Sequence, residues 1–399
     1  MSDDSEQPDG SRGNDRVTEI YVNGLAEVSP DIPIEPGELE AAALDAMDET
    51  ARGYVDGGAG SGKTAESNET AFDRWRIEPE MLRGVADRDL STEVFDREFD
   101  VPVMCAPIGC QSILHDAAER GSAEGAANEG VPLCLSTVSS TPMEDVADAM
   151  GDVPAWFQLY WSPDRELTAS FIDRAEQAGY EALVVTVDTP IVGWRPQDLQ
   201  QGYLPYLHGT GIANYTTDEV FRSYLDHEPE ANTLSTAQTF LDLFGDASLT
   251  WGDLAWLHDQ TDLPVIVKGI LSQADARRAV EHGADGVIVS NHGGRQVDRS
   301  VAALEALPGV VDEIGDEAFV GFDSGIRTGA DILTVLALGA DLAFVGRPYI
   351  YGLTLDGADG VATVLSNLLA DFDLSLGLSG YDDVAKLDRD ALVHESELS

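Results

Sequence analysis

From about residue 101 onward, short apolar runs alternate with stretches rich in Ala, Glu, Asp and Arg that have helical periodicity. Eight such runs are present, and several are apolar at every position, as expected of strands buried on both faces. The helical stretches include residues 116–128, 165–178 and 273–282. This alternation predicts an α/β fold, a (β/α)8 TIM barrel with eight parallel strands. The predicted strands are residues 101–106, 131–136, 155–160, 182–188, 263–268, 284–290, 318–323 and 341–346.

The predicted barrel has two additions. Residues 1–17 are acidic and polar and are expected to form a disordered tail, which leaves 18–399 as a single domain. The domain begins with a helical and irregular extension, since residues 18–36 contain three prolines and residues 38–55 have helical periodicity. A long polar and aromatic connection, residues 193–253, separates the fourth and fifth strands. A structureless connection of that length is usually functional, so it is predicted to be a lid over the active site.

The loop after the sixth strand, SNHGGRQ at residues 290–296, carries groups suited to acid–base chemistry. His292 can gain or lose a proton near neutral pH, and Arg295 offers a planar fork that matches a carboxylate. The two glycines allow a ligand to approach the backbone. The loop therefore predicts chemistry on a small organic acid. A surface turn that holds a His and an Arg by chance is the alternative.

Polar residues and glycines gather where the other strands end, which is where a TIM barrel places its active site. Lys268 ends an apolar strand, and a buried lysine without a partner is costly, so an anionic or polar ligand group is expected beside it. Glycine and arginine follow both the seventh and the eighth strand and predict a phosphate site, and therefore a phosphate-bearing cofactor. Packing, helix capping or surface ion pairs could explain each residue singly, but all of them fall on one face. That face comprises Ala106, Pro107, Ile108, Gly109, Ser136, Gln158, Tyr160, Thr186, Asp188, Arg195, Lys268, His292, Arg295, Asp323, Ser324, Gly325, Arg327, Gly346 and Arg347.

The charge of the chain restricts its partners. The formal net charge is −50, from 73 acidic and 23 basic residues, and only three residues are lysines. Acid spread along the whole chain, together with 43% hydrophobic content, indicates a folded protein whose surface is adapted to high salt rather than a disordered one. Nucleic acid and anionic membranes are poor partners for such a surface.

Three cysteines, Cys105, Cys110 and Cys134, lie in apolar segments and are expected to be free thiols in a reducing compartment. Their spacing does not fit a metal site, so no metal is expected. No stretch reaches the roughly 18 apolar residues of a membrane span. The acidic N-terminus does not resemble a signal peptide, and a cytoplasmic location is therefore expected.

Residues 57–64 (GGAGSGKT) satisfy the pattern of a phosphate-binding loop, G-x-x-x-x-G-K-[ST]. That motif functions between a buried strand and a helix, whereas the residues before it are predicted to be helical and those after it are polar. Nucleotide binding at this segment is kept as a remote alternative of a different functional class.

The motifs together resemble the FMN-dependent α-hydroxy-acid oxidase and dehydrogenase family. SNHGGRQ is the signature of that family, the resemblance runs from about residue 18 to the C-terminus, and within the family the chain is most similar to lactate 2-monooxygenases. The glycine turn of residues 57–60 belongs to this pattern, so that Lys63 and Thr64 complete the phosphate-loop motif by coincidence. The other matching segments are YVDGGAG (54–60), APIG (106–109), WFQLYW (156–161), GWRPQDL (193–199), GTGIANYTTDEVF (209–221), VKGIL (267–271) and FDSGIRTGADI (322–332).

The resemblance implies a role for each matching residue. FMN would lie against the backbone of Ala106, Pro107, Ile108 and Gly109. Its ring would be hydrogen-bonded by Ser136, Gln158, Thr186 and Ser290, with Lys268 stabilising negative charge on the ring. Its ribityl and phosphate groups would be held by Asp323, Ser324, Gly325, Arg327, Gly346 and Arg347. Arg195 and Arg295 would bind the substrate carboxylate, and Tyr54 and Tyr160 its hydroxyl or keto oxygen. His292 would accept a proton, with Asp188 stabilising the imidazolium.

The predicted activity is the FMN-dependent oxidation of (S)-lactate or a similar small 2-hydroxy acid by O₂. The resemblance favours the lactate 2-monooxygenase outcome, which yields acetate, CO₂ and water. An oxidase that releases the 2-oxo acid and H₂O₂ is the first alternative, and a dehydrogenase that passes electrons to a quinone or a protein carrier is the second. The resemblance also implies a homo-oligomer, a tetramer or an octamer.

Overall fold

A computed structural model describes residues 11–398 of the chain and contains the predicted barrel. Eight parallel strands close into a ring in which each strand pairs with its neighbours in sequence, and the last strand pairs with the first. Seven of the strands are shorter than predicted, and Ala106, Ser290 and Asp323 already lie in the loops that leave the barrel. The fifth strand has the predicted length but begins and ends two residues later. The barrel strands are β1 Val103–Cys105, β2 Leu133–Ser136, β3 Ala155–Leu159, β4 Leu183–Thr186, β5 Val265–Ile270, β6 Gly286–Val289, β7 Phe319–Phe322 and β8 Leu342–Val345.

The helices form the outer layer, the N-terminal extension and the connection after β4. The longest of them is bent where Asp356 and Gly357 leave helical geometry. The helices are α1 Arg12–Leu25, α2 Pro36–Ala46, α3 Glu49–Asp56, α4 Lys63–Thr70, α5 Ala118–Asn128, α6 Met143–Met150, α7 Arg165–Ala178, α8 Pro196–Gln201, α9 Ala213–Thr216, α10 Glu219–Ser223, α11 Thr233–Leu243, α12 Leu254–His258, α13 Gln273–Glu281, α14 Ala303–Ile314, α15 Gly329–Ala337 and α16 Arg347–Leu378.

The interior of the barrel is a packed apolar core whose lower end is closed. Trp156 of β3 packs against Phe319 and Phe344, with ring centroids 5.6 and 5.9 Å apart. A hairpin of two short strands, Thr92–Val94 and Arg97–Phe99, carries Phe95 at its turn, and this ring lies 5.4 Å from that of Phe319. The hairpin therefore closes the barrel interior at the N-terminal ends of the strands.

The predicted disorder of residues 11–17 is wrong, as is the irregular structure predicted for residues 18–25. Helix α1 begins at Arg12 and packs on α16. Its N-terminus is fixed by the Asp373 carboxylate, which accepts a 2.7 Å hydrogen bond from the Gly13 backbone N–H and pairs with Arg88 at 2.6 Å. The polar composition of this segment suggested disorder. The residues that stabilise the helix are distant in sequence, so the local composition did not reveal them. Residues 1–10 of the predicted tail lie outside the described residues.

The connection of residues 193–253 was predicted to be structureless. This prediction is wrong, because the connection folds into short helices. Helices α8 to α11 and three 3₁₀ turns follow one another between β4 and α12. Aromatic packing among Tyr206, Tyr215, Phe240 and Phe244 holds them together, with centroid distances of 4.7 to 5.8 Å. The connection therefore forms a stable wall above the barrel, and whether it moves as a lid stays a prediction.

Helix α16 has the length and composition of a membrane-crossing helix, although no run of 18 apolar residues was found in the sequence. Half of its most apolar window is buried inside the protein, and buried Tyr349, Leu365 and Phe372 are among its residues. These contacts are those of a core helix of the barrel's outer layer. Beyond it, Leu392–His394 pairs antiparallel with Trp75–Ile77 and fastens the C-terminus.

Candidate active site

A cavity of about 510 Å³ opens at the C-terminal ends of the strands. It receives residues from nearly all the strand-end loops, from α3 and from the connection after β4. The predicted site residues that line it are Tyr54, Ala106, Pro107, Ile108, Gly109, Ser136, Tyr160, Arg195, Lys268, His292, Arg295, Asp323, Ser324, Gly325, Arg327, Gly346 and Arg347. The predicted residues Gln158, Thr186, Asp188 and Ser290 are buried among or beside these lining residues.

His292 and Asp188 form a buried pair at the cavity. His292 Nδ1 lies 2.8 Å from Asp188 Oδ1, and the Thr189 hydroxyl donates to the same carboxylate oxygen over 2.9 Å. Burial lowers the pKa of His292 below its usual value and outweighs the opposing effect of Asp188. The pKa of Asp188 is lowered to about 2, because His292 and Lys268 outweigh the effect of burial. At neutral pH the pair is thus a neutral imidazole held by an anionic carboxylate, with Nε2 left to accept a proton.

Lys268 is fully buried and charged. Its Nζ lies 3.0 Å from Asp323 Oδ2 and 2.9 Å from the Ser290 hydroxyl. Burial alone would lower the pKa of Lys268, but Asp323 and Asp188 reverse this and raise it. A cation therefore lies at the floor of the cavity. Its counter-ion is Asp323 of the protein itself, whereas a ligand group had been expected beside it, and β5 does not end at Lys268 but continues to Ile270.

Arg195 and Arg295 lie side by side, although a hundred residues separate them. Arg195 donates from Nε to the carbonyl oxygen of Arg295 over 3.1 Å and from Nη2 to Gln296 Oε1 over 2.8 Å. Arg295 lies over the ring of Tyr54, with Cζ 5.2 Å from the centroid, and contacts the Gly57 carbonyl. Burial and the charge of Arg195 lower the pKa of Arg295. These two neighbouring, partly buried guanidinium groups form a site for an anion such as a carboxylate.

Four tyrosines, Tyr54, Tyr160, Tyr203 and Tyr206, line the cavity, and the sequence predicted only Tyr54 and Tyr160. Burial raises the pKa of Tyr160 to about 12, with Asp188 adding to the effect, so its hydroxyl stays protonated. Tyr206, which comes from the connection, is also buried at the cavity, and its pKa lies well above the usual value because of burial. Cys110 hydrogen-bonds to the hydroxyls of Tyr54 and Tyr206, and burial raises its pKa to about 12. The aromatic residues of the connection were the sequence signal that could have identified Tyr206.

The loop of residues 106–109 lines the cavity, and buried side chains outside it hold its backbone carbonyl groups by hydrogen bonds. The Tyr349 hydroxyl donates to the Ala106 carbonyl over 2.9 Å, and Gln111 Nε2 donates to the Ile108 carbonyl over 2.8 Å. The buried carboxylate of Glu119 accepts from the Gln111 backbone N–H at 3.0 Å. The sequence did not indicate these supporting residues, because Tyr349 is distant from the loop along the chain and the contacts of Gln111 and Glu119 depend on the path of the backbone after the loop.

The opposite end of the cavity collects arginine side chains and glycine backbone. Arg347 donates to the Val55 carbonyl over 3.2 Å, and Arg327 pairs with Glu69 at 2.6 Å. Burial, and then the charge of Arg327, lowers the pKa of Arg347. Gly325 has a φ of +107°, and a Cβ there would lie 2.4 Å from a backbone oxygen, so only glycine fits. This arrangement suits a phosphate dianion.

The buried polar atoms without partners fit the FMN that the sequence resemblance implied. Within residues 11–398, five buried side-chain N or O atoms lack a hydrogen-bond partner, and four of them belong to predicted site residues. Unpaired buried polar groups are costly, so their presence in residues at both ends of the cavity fits a long polar ligand such as FMN. They are Gln158 Nε2, Thr186 Oγ1, Asp188 Oδ2 and Arg327 Nε.

Comparisons with known proteins agree with this reading of the site. The family model described as FMN-dependent dehydrogenase matches residues 43–394. An FMN-dependent alpha-hydroxy acid dehydrogenase of Schizosaccharomyces pombe is 42% identical over 389 residues, covering 95% of this chain and 96% of the relative. An L-lactate oxidase of Lysinibacillus sphaericus is 38% identical over 369 residues, covering 92% and 95%. A crystal structure of mandelate oxidase superposes with a TM-score of 0.80 at 34% identity, covering 90% of this chain and 98% of that one.

Together, the closed barrel, the cavity lined by the signature residues and the family match over most of the chain have one explanation. The protein belongs to the FMN-dependent dehydrogenase family and is an FMN-dependent oxidoreductase of 2-hydroxy acids.

Proposed function

We propose that the protein oxidises (S)-lactate or a 2-hydroxy acid of similar size and uses O₂ as the electron acceptor. The observation that carries this proposal is the placement of the Arg195–Arg295 pair and the His292–Asp188 pair in one cavity. A 2-hydroxy acid has its carboxylate one bond from the carbon that bears the hydroxyl, so one site must bind an anion and remove a proton within a few ångströms.

Separate groups in the cavity bind the substrate, accept its proton and carry charge beside the cofactor site. Arg195 and Arg295 bind the substrate carboxylate, and the protonated hydroxyls of Tyr54 and Tyr160 orient its hydroxyl oxygen. His292 takes up a proton at Nε2, because Nδ1 is occupied by Asp188, and Asp188 stabilises the resulting charge. FMN, when bound, accepts the two electrons released by the substrate. Lys268 places a positive charge at the site where Gln158, Thr186 and Ser290 gather, and so favours added electron density there.

The cofactor would be held along the whole length of the cavity. The backbone of Ala106, Pro107, Ile108 and Gly109 and the side chains of Ser136, Gln158, Thr186 and Ser290 would contact its ring system. Ribityl and phosphate groups would bind Asp323, Ser324, Gly325, Arg327, Gly346 and Arg347. The unpartnered Gln158 Nε2, Thr186 Oγ1 and Arg327 Nε support this assignment.

The monooxygenase outcome is the form of this reaction that we propose. Lactate and O₂ would give pyruvate and H₂O₂, and their reaction before release would give acetate, CO₂ and water. The support is the sequence resemblance to lactate 2-monooxygenases and the connection that contributes Leu204, Tyr206 and Phe244 to the cavity wall. Slow release of pyruvate past this wall would allow the second step. The L-lactate oxidase relative favours the alternative, in which pyruvate and H₂O₂ leave separately.

The test uses the holoenzyme purified in high salt. L-Lactate is added anaerobically while the visible flavin bands are recorded, and air is then admitted while acetate, pyruvate and H₂O₂ are measured. Bleaching followed by acetate, with no free H₂O₂, supports the monooxygenase. Equal amounts of pyruvate and H₂O₂ would make the protein an oxidase. Reduced flavin that persists in air would remove O₂ as the acceptor.

A further inference from the structure

The glycine-rich segment and the start of helix α4 bind a carboxylate of the protein itself. Asp298 Oδ2 accepts hydrogen bonds from the backbone N–H and the hydroxyl of Ser61, at 2.6 and 2.7 Å. Asp298 Oδ1 accepts one from the backbone N–H of Lys63 at 2.8 Å. Backbone N–H groups at a helix N-terminus favour an anion, and here Asp298 takes the place that a phosphate would have in a nucleotide-binding loop. The structure thus gives the motif of residues 57–64 an internal ligand.

Two more residues of α4 contact the same loop. The Thr64 hydroxyl donates to the Val297 carbonyl over 2.8 Å and accepts from the Ser300 N–H over 2.9 Å. Asn68 and Asn291 exchange two side-chain hydrogen bonds of 2.7 Å each. Thr64 and Asn68 are both buried, so these bonds are shielded from water. Helix α4 therefore holds the loop of residues 291–298 at both of its ends.

The backbones also approach too closely for ordinary side chains. A Cβ on Gly294 would lie 2.4 Å from the backbone nitrogen of Ala65, and one on Gly60 would lie 2.6 Å from Asp298 Oδ2. The Ala59 N–H donates to the Gly294 carbonyl over 2.9 Å. We call residues 59–68 the clamp, because they contact the loop along its length.

The loop of residues 291–298, which the clamp contacts, has an unfavourable backbone conformation. His292, Gly293 and Gly294 are three consecutive residues with positive φ, at 60°, 62° and 77°. A non-glycine residue in the left-handed region is unfavourable unless its surroundings impose that conformation. Hydrogen bonds from outside the loop are therefore needed to keep the side chain of His292 beside Asp188 and that of Arg295 beside Arg195.

We propose that the clamp positions His292 and Arg295 for catalysis through Asp298, Thr64 and Asn68. None of these three residues lines the cavity, so they are positioning residues and not catalytic ones. The inference rests on the roles proposed above for His292 and Arg295. It gives the segment that matches a nucleotide-binding motif a function within the oxidation of the 2-hydroxy acid.

The test compares variants of the clamp with matched controls in the FMN-loaded enzyme. Asp298→Ala removes the carboxylate that binds the N-terminus of α4. Thr64→Val removes the two hydrogen bonds of the Thr64 hydroxyl and keeps the shape of the side chain, whereas Thr64→Ser retains the hydroxyl. Glu35→Ala is the control, since Glu35 also caps a helix with its carboxylate, but on the N-terminal extension. For each variant, FMN content, thermal unfolding and the anaerobic rate of flavin reduction are measured over a range of L-lactate concentrations.

We expect Asp298→Ala and Thr64→Val to retain FMN and to lower the limiting reduction rate about tenfold or more, since ångström misplacement can cost up to about a hundredfold. The lactate concentration for half-maximal rate should rise as well. Thr64→Ser and Glu35→Ala should reduce at the wild-type rate. If Asp298→Ala does not fold, the comparison of Thr64→Val with Thr64→Ser decides.

Two results would contradict these ideas in distinguishable ways. If His292→Ala loses flavin reduction while Asp298→Ala and Thr64→Val stay within about twofold of wild type, the clamp has only a structural role and the inference is wrong. If His292→Ala reduces at the normal rate, both the inference and the proposed role of His292 are overturned.

Discussion

Arg195 Nε donates to the backbone carbonyl oxygen of Arg295 over 3.1 Å, so the backbone at Arg295 orients the guanidinium group of Arg195. Arg195 comes from the loop after β4 and Arg295 from the loop after β6. In the part of the chain that the structure describes, the one carboxylate paired with them is that of Asp198, 3.9 Å from Arg295 Nη2, so the two neighbouring positive charges are only partly neutralised. The carboxylate of the substrate would supply the remaining negative charge.

Replacing Arg295 with lysine should weaken substrate binding. A lysine provides a point charge and cannot form the bidentate contact of a guanidinium group with a carboxylate. We expect the dissociation constant of L-lactate to rise by about tenfold or more, which is about 1.4 kcal/mol. Rapid anaerobic reduction at varied L-lactate measures it. Arg277→Lys, at an ion-paired arginine outside the cavity, is the control, and an unchanged constant for Arg295→Lys would contradict the assignment.

Replacing His292 with alanine should leave FMN bound but slow flavin reduction by a factor of about 10² to 10⁴, the range expected for loss of a general base. The visible spectrum reports FMN, and stopped-flow absorbance under anaerobic conditions reports the rate. His282→Ala is the matched control, because His282 hydrogen-bonds to a backbone carbonyl at the end of α13. If His292→Ala reduces flavin at a near-normal rate, His292 is not the base.

The pH dependence of flavin reduction should show a base with a lowered pKa. Because burial lowers the pKa of His292, the neutral form persists below about pH 6.5, and the rate should fall only at lower pH. Asp188→Asn removes the charge that raises this pKa, so the fall should move to still lower pH while the plateau decreases. Because the folded protein binds a proton at His292 less readily than the unfolded chain does, the free energy of unfolding should rise with pH between the folded-state and unfolded-state pKa values of His292. A fall that moves to higher pH in Asp188→Asn would contradict this account.

Replacing Lys268 with methionine should destabilise the protein by about 3–5 kcal/mol, because the carboxylate of Asp323 would be left buried without its partner. Denaturant unfolding measures the change. The double variant Lys268→Met/Asp323→Asn should recover much of the stability, since the carboxylate that pairs directly with Lys268 is also removed, but should not recover flavin reduction. If the single variant unfolds like the wild type, the buried ion pair has no structural role.

Replacing Tyr206 with phenylalanine should raise the lactate concentration for half-maximal reduction by about two- to tenfold, the value of one hydrogen bond. Tyr206 lies at the cavity and hydrogen-bonds to Cys110, which also contacts Tyr54. Steady-state and anaerobic kinetics measure the effect. Tyr224→Phe provides the control, since Tyr224 bonds to Asp164 outside the cavity. Equal kinetics in both variants would remove Tyr206 from the site.

Thermal unfolding should occur at higher temperature as salt is added. With a net charge of −50, repulsion destabilises the folded state at low ionic strength, and the Debye length falls from about 10 Å at 0.1 M to about 3 Å at 1 M. We therefore expect the midpoint to increase steadily between these concentrations of KCl. A midpoint that is independent of KCl would contradict adaptation to high salt.

The sequence was sufficient to predict the barrel, because buried parallel strands are apolar at every position and alternate with helices. It also predicted which residues meet at the mouth of the barrel, because side chains at the ends of parallel strands share one face. Lys268 and His292 were found this way. The glycines and arginines after the seventh and eighth strands implied a phosphate-bearing cofactor, the resemblance implied FMN, and the family comparison agrees with FMN.

Only the tertiary structure decided the contacts between parts of the chain that are distant in sequence. It placed Tyr206 of the connection at the cavity, set Asp298 on the N-terminus of α4 and docked α1 through Asp373. Such contacts depend on the three-dimensional path of loops, which local periodicity does not encode. For that reason residues 57–64 matched a nucleotide-binding pattern in sequence, while the fold filled the same helix terminus with a carboxylate of the protein.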